Sequence, residues 1–481
     1  MPMDLILLAI VILNICFGIS IVFFERKSPE IALAWLTLLV FIPVAGFILY
    51  LVFGQNFYRA RLFRVKAGDD KEIQDRVSGQ LSEVTRLETI KKDERKNKFL
   101  RVIRTLLVNN RSIVTDNNNI EIYTNGHDKF KALFAAVEQA KEFIHVEYYY
   151  ISPDRMGTQF AELLTKKARE GVEVRVLVDG LPFSIVPTSF WKPFIDAGGK
   201  KAVFFPGFLR FINIRFNNRN HRKIVVIDGK TAFCGGFNVG DEYVGEGVKK
   251  LGFWRDTHVK IDGDAAQLLE LRFLMDWNYA SEEQIETRDR YFPKSNSTGS
   301  AIVQIVSSGP DHQHNQIKLA YLQLINTASE SIYIQTPYFV PDASLLDALR
   351  LAAQSGIDVK IMIPCKPDHM FVYAVNHAFI RDLLDAGVKA YTYDEGFIHA
   401  KTLVIDGVVA SVGSANWDIR SFKLNFETNA LIYDSGYAKK LKEIFEDDLK
   451  HSTEITPESL KKRPLTDKIW EPIARLFSPV L

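Results

Sequence analysis

Two long apolar runs open the chain. Residues 5–24 carry Asn14 as their only strongly polar side chain, and residues 31–53 carry no charge. Each run is long enough to cross the hydrocarbon core of a bilayer as a helix. The polar segment between them, residues 25–30, predicts a tight turn. The pattern therefore predicts a two-helix transmembrane hairpin within residues 1–57. A cleaved signal peptide is the alternative, although the first run lacks a basic start and a small-residue cleavage site.

The next segment has a different character. Residues 58–110 are dominated by Lys, Arg, Glu, Asp and Gln, with Leu and Ile at helical intervals. This composition predicts a charged helical linker rather than a domain core. Four basic residues directly follow the second apolar run: Arg59, Arg61, Arg64 and Lys66. The positive-inside rule therefore predicts that the chain beyond the hairpin lies in the cytoplasm.

From residue 111 onward, helical spacing alternates with short apolar runs that are typical of strands. The first half has helices at 130–142 and 158–170 and strands at 143–150 and 172–178, and the second half repeats this order with helices at 317–329 and 344–354 and strands at 331–339 and 357–363. The order is that of a β-α-β unit, and its repetition indicates an internal duplication. We therefore predict two α/β sandwich domains, 111–290 and 291–481, each a mixed sheet flanked by helices.

Composition narrows the functional classes. With 481 residues, 47% of them apolar and 25% charged, the chain has the makeup of two or three globular domains. Its net charge of +2 gives no overall attraction to nucleic acid. The three cysteines, Cys16, Cys234 and Cys365, are far apart and form no C-x-x-C pair. This spacing disfavours a disulfide framework and a zinc site.

One motif, H-x-K-x-x-x-x-D, occurs once in each half and is followed at the same distance by an Asn. The residues are His221, Lys223, Asp228 and Asn238 in the first copy, and His399, Lys401, Asp406 and Asn416 in the second. In a strand, side chains two apart share a face, so His and Lys are predicted to point the same way. A single such pair would fit an ordinary strand, whereas the repetition favours a functional site.

The repeated residues suggest phosphoryl transfer through a covalent histidine. One imidazole would attack phosphorus, and the other would protonate the leaving alcohol and deprotonate the incoming one. The lysines and asparagines would bind the non-bridging phosphate oxygens. The sequence does not decide which histidine is the nucleophile, with a preference for His221. No metal and no cofactor is expected, because no carboxylates cluster near the histidines in the sequence.

Carboxylates complete the candidate site. A nucleophilic histidine needs an acceptor that fixes its other nitrogen. Asp256 and Glu427 occupy equivalent places in the two halves and are the candidates, with an ordinary strand-end carboxylate as the alternative. The motif residues Asp228 and Asp406 are counted with the catalytic group, although their position at turns also fits a structural role.

The paired motifs and the hairpin resemble the bacterial cardiolipin synthases of the phospholipase D superfamily. In the hairpin, the residues that carry the likeness are Trp35, Pro43, Gly46, Tyr50 and Gly54. The resemblance covers nearly the whole chain. It implies that two phosphatidylglycerol molecules give cardiolipin and glycerol through a phosphatidyl-histidine, without a metal. It also implies phosphate binding by Asn238, Asn416 and Ser414, and Gly236 stands at the position of Ser414 in the first copy.

The resemblance further implies a multi-pass protein of the bacterial cell membrane, with phosphatidylglycerol and an anionic phospholipid membrane as partners and no nucleic acid. A hydrolase or a phosphatidylserine synthase of the same superfamily is the alternative. A membrane-tethered, non-catalytic scaffold is the alternative of another class, and the two intact motifs weigh against it.

Two further segments keep two interpretations each. A basic and aromatic segment before His221 predicts either a lipid-facing mouth or a solvated loop, and contains Phe208, Arg210, Phe211, Arg215, Phe216, Arg219 and Arg222. The C-terminal residues 469–481 alternate apolar and polar and are expected either to dock on the second domain or to lie on the bilayer.

Overall fold

The computed structural model describes residues 3–25, 29–50, 97–183, 186–205, 218–246, 251–281, 283, 285, 289–311 and 314–476. Four parts of the sequence predictions lie outside the described residues: the end of the second apolar run (51–53), most of the linker (58–96), most of the basic and aromatic segment (206–217) and the end of the C-terminal segment (477–481). The first three helices form one unit, and all later elements form a second.

The N-terminal unit is a helical hairpin. Its helices are α1 (Met3–Phe23), α2 (Pro29–Phe41) and α3 (Pro43–Leu49). The second apolar run is divided rather than continuous as predicted, because Pro43 lacks the amide that would bond the carbonyl of Leu39. Asn14 on α1 donates from Nδ2 to the carbonyls of Leu39 and Pro43, at 3.2 and 3.0 Å. The polar side chain of the first run thus bonds the backbone oxygen that the proline leaves without its helical donor.

Most apolar side chains of the hairpin face outward, among them Leu8, Ile15 and Phe41. A small buried contact forms between Ile21 and Leu39, together with Tyr50. Among the described residues, no helix has both the length and the apolar character needed to cross a membrane.

The second unit alternates helices and strands. Its helices are α4 (Leu100–Asn110), α5 (Gly126–Glu138), α6 (Arg155–Arg169), α7 (Gly180–Phe183), α8 (Lys192–Asp196), α9 (Asp264–Ala280), α10 (Gln316–Thr327), α11 (Ala343–Gln354), α12 (Met370–Leu384), α13 (Ile419–Lys423), α14 (Ser435–Leu449), α15 (Pro457–Lys461) and α16 (Leu465–Leu476). Its strands in the first half are β1 (Val114–Tyr123), β2 (Phe143–Tyr148), β3 (Glu173–Asp179), β4 (Lys200–Phe204), β5 (Lys223–Ile227), β6 (Thr231–Gly235), β7 (Phe253–Arg255) and β8 (His258–Asp262). Those in the second half are β9 (Ala301–Ser308), β10 (Ser331–Gln335), β11 (Phe339–Val340), β12 (Asp358–Pro364), β13 (Lys389–Tyr393), β14 (Gly396–Ile398), β15 (Thr402–Ile405), β16 (Val409–Gly413), β17 (Trp417–Asp418), β18 (Glu427–Ile432) and β19 (Ser452–Ile455).

One sheet of 15 strands runs through both halves, in the order β19-β13-β12-β10-β15-β16-β18-β9-β1-β8-β6-β5-β2-β3-β4. Outward from the centre, the first half reads β1-β8-β6-β5-β2-β3-β4 and the second reads β9-β18-β16-β15-β10-β12-β13, which is the same order of equivalent strands. Within the first half, β2, β3 and β4 pair in parallel, while β5 pairs antiparallel with β2 and β6. The predicted duplication and the mixed α/β sheets are therefore confirmed. The antiparallel pair β1–β9 joins the halves, so the two sheets are continuous.

The last part of the predicted linker is a core helix. Five residues in or just before α4 are fully buried in the core of the second half: Phe99, Val102, Ile103, Leu106 and Leu107. They recur every three to four residues and give the helix one apolar face, while Arg101 and Arg104 lie on its exposed side. At the end of the predicted linker, the charged residues of 97–110 therefore mark only the outer face of a buried helix.

Candidate active site

Each motif strand begins shortly after its histidine, because β5 starts at Lys223, two residues after His221, and β15 starts at Thr402, three residues after His399. Lys223 donates from Nζ to the carbonyl of His221 at 2.7 Å. Lys401 makes the same bond to the carbonyl of His399. Each lysine amine is thus held beside the backbone of its own histidine.

A carboxylate from the opposite half holds each histidine. His221 Nδ1 lies 3.0 Å from both carboxylate oxygens of Glu427. His399 Nδ1 lies 2.6 Å from Oδ2 of Asp256. An ionised carboxylate only accepts hydrogen bonds, so Nδ1 of each neutral imidazole carries the proton and Nε2 keeps its lone pair. The two expected orienting residues are brought to the histidines, each from the other half of the molecule.

The crossed arrangement follows from backbone pairing. The amide of His221 donates to the carbonyl of Phe426 at 2.9 Å, and the amide of Phe426 donates to the backbone carbonyl of Arg219 at 2.8 Å. In the other copy, β14 pairs in parallel with β7, and the amide of His399 donates to the carbonyl of Arg255 at 2.7 Å. The chain before each histidine therefore pairs with the chain before the opposite carboxylate, which places histidine and carboxylate side by side.

Burial sets the protonation state of the histidines. Burial lowers the pKa of His221, and the charges of Lys223 and Lys401 lower it further against the opposing effect of Glu427. Burial, with the charge of Lys401, also lowers the pKa of His399, to about 4. Both imidazoles are therefore neutral at pH 7 before an anionic substrate binds, which is the form that a nucleophile requires.

The pKa values of the two lysines are also perturbed, and each lysine acts on groups of the other copy. Burial lowers the pKa of Lys223 to about 7 and that of Lys401 to about 8. The charge of Lys401 lowers the pKa of Lys223 and of His221, and the charge of Lys223 lowers that of His399. Nζ of Lys401 in the second copy also lies 3.9 Å from Oδ2 of Asp256 in the first half, so the two copies meet in one place. A bound phosphodiester would offset the repulsion between the two amines.

The two motif asparagines differ from Ser414 in how many of their side-chain hydrogen-bonding groups already have partners. Asn238 donates from Nδ2 to the hydroxyl of Tyr243 at 3.0 Å. The Oδ1 atoms of Asn238 and Asn416 are buried and have no hydrogen-bond partner among the described residues. Ser414 instead donates to the carbonyl of Thr428 at 3.3 Å and accepts from its amide at 3.0 Å. Its hydroxyl is thus already bonded to the backbone of β18. The structure therefore does not present Ser414 beside the histidines as a phosphate ligand.

Position 236 cannot carry the side chain that its counterpart Ser414 carries. A Cβ atom on Gly236 would lie 2.0 Å from Oδ1 of Asp256, far inside van der Waals contact. The carboxylate that holds His399 therefore occupies the space that a side chain would need. The asymmetry between Gly236 and Ser414 thus has a steric cause.

The motif aspartates lie away from the histidines. Both end their strands with positive φ, 51° at Asp228 and 53° at Asp406, and glycine follows each. The Asp228 carboxylate accepts from the amides of residues 141–143 at 2.8 to 2.9 Å. That of Asp406 accepts from the amides of residues 329–331 and from Lys98. Because a whole strand separates them from the histidines, their grouping with the catalytic residues does not fit their position.

Sequence reasoning missed the aromatic residues around the histidines. The ring of Tyr149 lies edge-on to His221 with centroids 5.2 Å apart, and that of Trp254 lies 5.1 Å from His399. The Tyr243 hydroxyl is 3.4 Å from Nδ1 of His399. Nothing in the sequence separates these residues from ordinary core aromatics. In the described part of the chain, no group of three or more His, Cys, Asp or Glu side chains is arranged to hold a metal ion.

Comparison with solved structures defines the class. The crystal structure of phosphatidylserine synthase from Haemophilus influenzae Rd KW20 superposes on 79% of this chain and 100% of its own, with a TM-score of 0.59 and 14% sequence identity. At that identity the likeness concerns the fold alone. Together with the duplicated sheet, it places the chain in a class of duplicated proteins with mixed α/β sheets.

Sequence comparison defines the family within that class. The profile described as "Cardiolipin synthase, PLD-like domain" matches residues 133–277 and 321–449, and that of the phospholipase D-nuclease N-terminal segment matches residues 6–55. The cardiolipin synthase of Staphylococcus aureus strain Mu50 is 48% identical over 471 residues, which are 98% of this chain and 95% of the relative. That of Listeria welshimeri is 44% identical over 476 residues, 99% of this chain and 98% of the relative. The chain belongs to the cardiolipin synthase family of the phospholipase D superfamily.

Proposed function

We propose that this chain is a phosphatidyltransferase that makes cardiolipin and glycerol from two molecules of phosphatidylglycerol. The observation that carries the proposal is a single site with two neutral histidines, each held at Nδ1 by a carboxylate of the opposite half. Two such histidines supply a nucleophile and an acid–base group, which is what a double displacement at phosphorus needs. The family membership supports phosphatidylglycerol as the substrate.

In the first step, Nε2 of one histidine attacks the phosphorus of the donor lipid. A P–N bond forms, the P–O bond to the headgroup glycerol breaks, and the second histidine gives its proton to the departing oxygen. The anionic phosphodiester favours the protonated form of that second histidine, against the burial that keeps it neutral in the free site. The carboxylates Asp256 and Glu427 stabilise the cationic imidazoles while this happens.

In the second step, a hydroxyl of the acceptor phosphatidylglycerol replaces the glycerol. The second histidine takes the proton of that hydroxyl, the oxygen attacks phosphorus, and the P–N bond breaks. Cardiolipin leaves and both histidines return to their starting form. Lys223, Lys401 and the amides of Asn238 and Asn416 bind the non-bridging oxygens, on which negative charge grows in both transition states. For Asp228, Asp406 and Ser414 we propose structural roles.

We also propose that residues 5–24 and 31–53 anchor the protein in the bacterial cell membrane, with the catalytic part in the cytoplasm. The apolar side chains on the outside of α1 and α2 support this, because soluble proteins rarely expose such surfaces. The basic residues after the hairpin support the cytoplasmic side. The two repeats are proposed to occupy residues 111–290 and 291–481, with α4 packing against the second.

Product analysis tests the proposal. Purified full-length protein is incubated with phosphatidylglycerol that carries one label in the headgroup glycerol and another in the acyl chains. We expect one cardiolipin for each glycerol released, loss of both products in His221→Ala and His399→Ala, and normal products in the control His314→Ala, an exposed histidine outside the motifs. Phosphatidic acid as the main product would make the protein a hydrolase. No turnover of any phospholipid would favour the scaffold.

A further inference from the structure

The C-terminal helix α16 is attached by its charged side and exposes its apolar side. Glu471 is fully buried and pairs with Arg381 on α12 and with Arg463, and Arg475 donates to Asp382 at 2.5 Å. The apolar residues point outward with large exposed fractions: Leu465 (71%), Ile469 (57%), Trp470 (45%), Ile473 (41%) and Leu476 (79%). An ordinary surface helix has the opposite arrangement, with its apolar stripe toward the core.

The exposed surface extends beyond α16. The ring of Trp470 lies 6.1 Å from that of Phe371 at the start of α12. The neighbouring residue, Met370, is also largely exposed. We call this surface, formed by the five apolar residues of α16 and Met370, the C-terminal apolar face. Contiguous exposed apolar surfaces of this kind mark interaction sites.

The helix beneath the C-terminal apolar face is connected to the active site. Asn376 on α12 accepts from the amide of Phe339 at 2.8 Å and donates to the carbonyl of Pro337 at 2.9 Å. Phe339 lies in β11, which pairs in parallel with β17 at Trp417. Trp417 directly follows Asn416, one of the proposed phosphate ligands. One helix therefore joins the exposed apolar surface to the strand beside the reacting phosphate.

The charges around the C-terminal apolar face suit an anionic lipid surface. Lys461, Lys462 and Lys468 are exposed, and Arg475 lies on the last turn of α16. Apolar side chains flanked by basic ones are characteristic of helices that lie in the headgroup region of a bilayer. A soluble partner protein would not require this combination.

We propose that the C-terminal apolar face is a bilayer-docking surface that lies in the headgroup region of an anionic membrane and brings the second half of the active site to its lipid substrates. The link to the active site rests on the proposed function, because an enzyme that takes its substrates from a bilayer must meet the membrane close to its site. It resolves the two interpretations of the C-terminal segment, since α16 docks on the domain by one side and on lipid by the other.

Spin labelling tests the depth of this surface without relying on activity. In a full-length Cys16→Ser, Cys365→Ser background, which keeps the buried Cys234, a spin label is placed at Ile469→Cys, or at Lys450→Cys as the exposed polar control. The protein is reconstituted in vesicles that contain phosphatidylglycerol. We expect the label at 469 to collide with oxygen more than with a water-soluble nickel chelate, and the label at 450 to do the reverse.

Two outcomes would overturn the proposal. Equal nickel accessibility at 469 and 450 would place α16 in water, and shielding of 469 from both reagents would mean that protein covers it, either a second copy or residues beyond 476. A depth signal at 469 in a protein that does not transfer phosphatidyl groups would contradict the proposed function and leave the docking surface standing.

A kinetic variant gives an independent check. Leu465→Gln with Ile469→Gln is expected to lower transfer in vesicles by about tenfold, because a helix that leaves the interface loses its lipid contacts. Transfer between short-chain lipids presented as monomers should stay within about twofold of wild type, since the histidine site is untouched. Ile195→Gln, an exposed apolar residue of α8, should change neither rate. Equal losses with vesicles and monomers would contradict a docking role.

Discussion

The side chains at positions 236 and 414 distinguish the two copies of the motif. A Cβ at Gly236 would overlap the carboxylate of Asp256, whereas the Ser414 hydroxyl accepts a hydrogen bond from the amide of Thr428 in its own half. We predict that Gly236→Ser, which copies the second half, lowers transfer by about 100-fold or more, because it displaces the carboxylate that orients His399. Ser414→Gly loses only the two hydrogen bonds of its hydroxyl to the Thr428 backbone in β18 and should keep most of the activity. Steady-state rates of cardiolipin formation check both, and an active Gly236→Ser would contradict the steric argument.

The orienting carboxylates give a second prediction. Asp256→Asn and Glu427→Gln keep the shape of the side chains but remove the charge that stabilises a cationic imidazole. Each should lower kcat by about 100-fold or more, with KM little changed, because the interaction matters once charge develops on the ring. Glu443→Gln, an exposed carboxylate on α14, serves as the control. A loss that appears only in KM would argue for substrate binding instead of histidine orientation.

The lysines predict how anion binding depends on pH. With pKa values lowered to about 7 and about 8, Lys223 and Lys401 lose their charges as the pH rises through neutrality, in a site without an anion. An oxyanion favours the charged amines, so above pH 8 its binding must take up protons. Inhibition by tungstate, whose charge is constant here, should weaken between pH 7 and 10 by up to about tenfold per pH unit for each lysine. Lys223→Met should flatten this dependence, and a pH-independent inhibition constant would contradict it.

The sequence could supply these residues but not their partners. Repetition of one spacing in two places identified the histidines, lysines and asparagines, and the matching offsets identified Asp256 and Glu427. The crossed contacts depend on β14 pairing with β7 and on Asn220 pairing with Phe426, which join residues far apart in the chain. Such register carries no local signal. Tyr149, Tyr243 and Trp254 were missed because their environment, rather than their spacing, brings them to the histidines.

The strand that carries each motif is fixed at both ends by different means. At the start of the strand, the histidine amide donates to a backbone carbonyl of the opposite half. At its end, the aspartate carboxylate accepts from three successive backbone amides of the segment that leads into the neighbouring strand, residues 141–143 in the case of Asp228. The positive φ of Asp228 and Asp406 forms the turn into the next strand. The aspartate thus fixes the far end of the strand to the neighbouring segment, whereas the opposite half holds the histidine.

This element-scale role predicts a loss of stability. Asp228→Ala and Asp406→Ala should each lower the free energy of unfolding by about 2–4 kcal/mol, because several amides lose their acceptor. Asp406→Ala should cost more, since Asp406 also pairs with Lys98. Thermal denaturation measures the change, and the folded fraction should keep its kcat at low temperature. An unchanged melting temperature with lost kcat would restore the aspartates to the catalytic group.

Element prediction succeeded where apolar periodicity was complete. The helices and strands of both repeats were recognised with shifts of a few residues at their ends. The predicted strand 331–339 is two strands, β10 and β11, because Pro337 has no amide for the ladder. Pro43 divides the second apolar run for the same chemical reason. The helix α4 was assigned to the linker because its exposed face is charged, and only the packed second half shows what its other face contacts.

At the scale of the whole molecule, duplication has produced one site rather than two. The sheet is continuous through β1 and β9, and each half completes the histidine of the other. A separated half would lack the carboxylate for its own histidine. The two copies are equivalent in topology and unequal in detail, as Gly236 and Ser414 illustrate, which suits a reaction in which the two histidines have different tasks.

The stoichiometry of the covalent intermediate tests this account most directly. The purified chain is mixed with phosphatidylglycerol labelled at phosphorus and quenched within one turnover in denaturant near neutral pH, and the protein-bound label is counted and mapped. We predict an acid-labile phosphatidyl group on one histidine, His221 or His399, at no more than one per chain, and its absence when that histidine is alanine. Two labels per chain, or cardiolipin formation without any bound label, would contradict a single site shared by both halves.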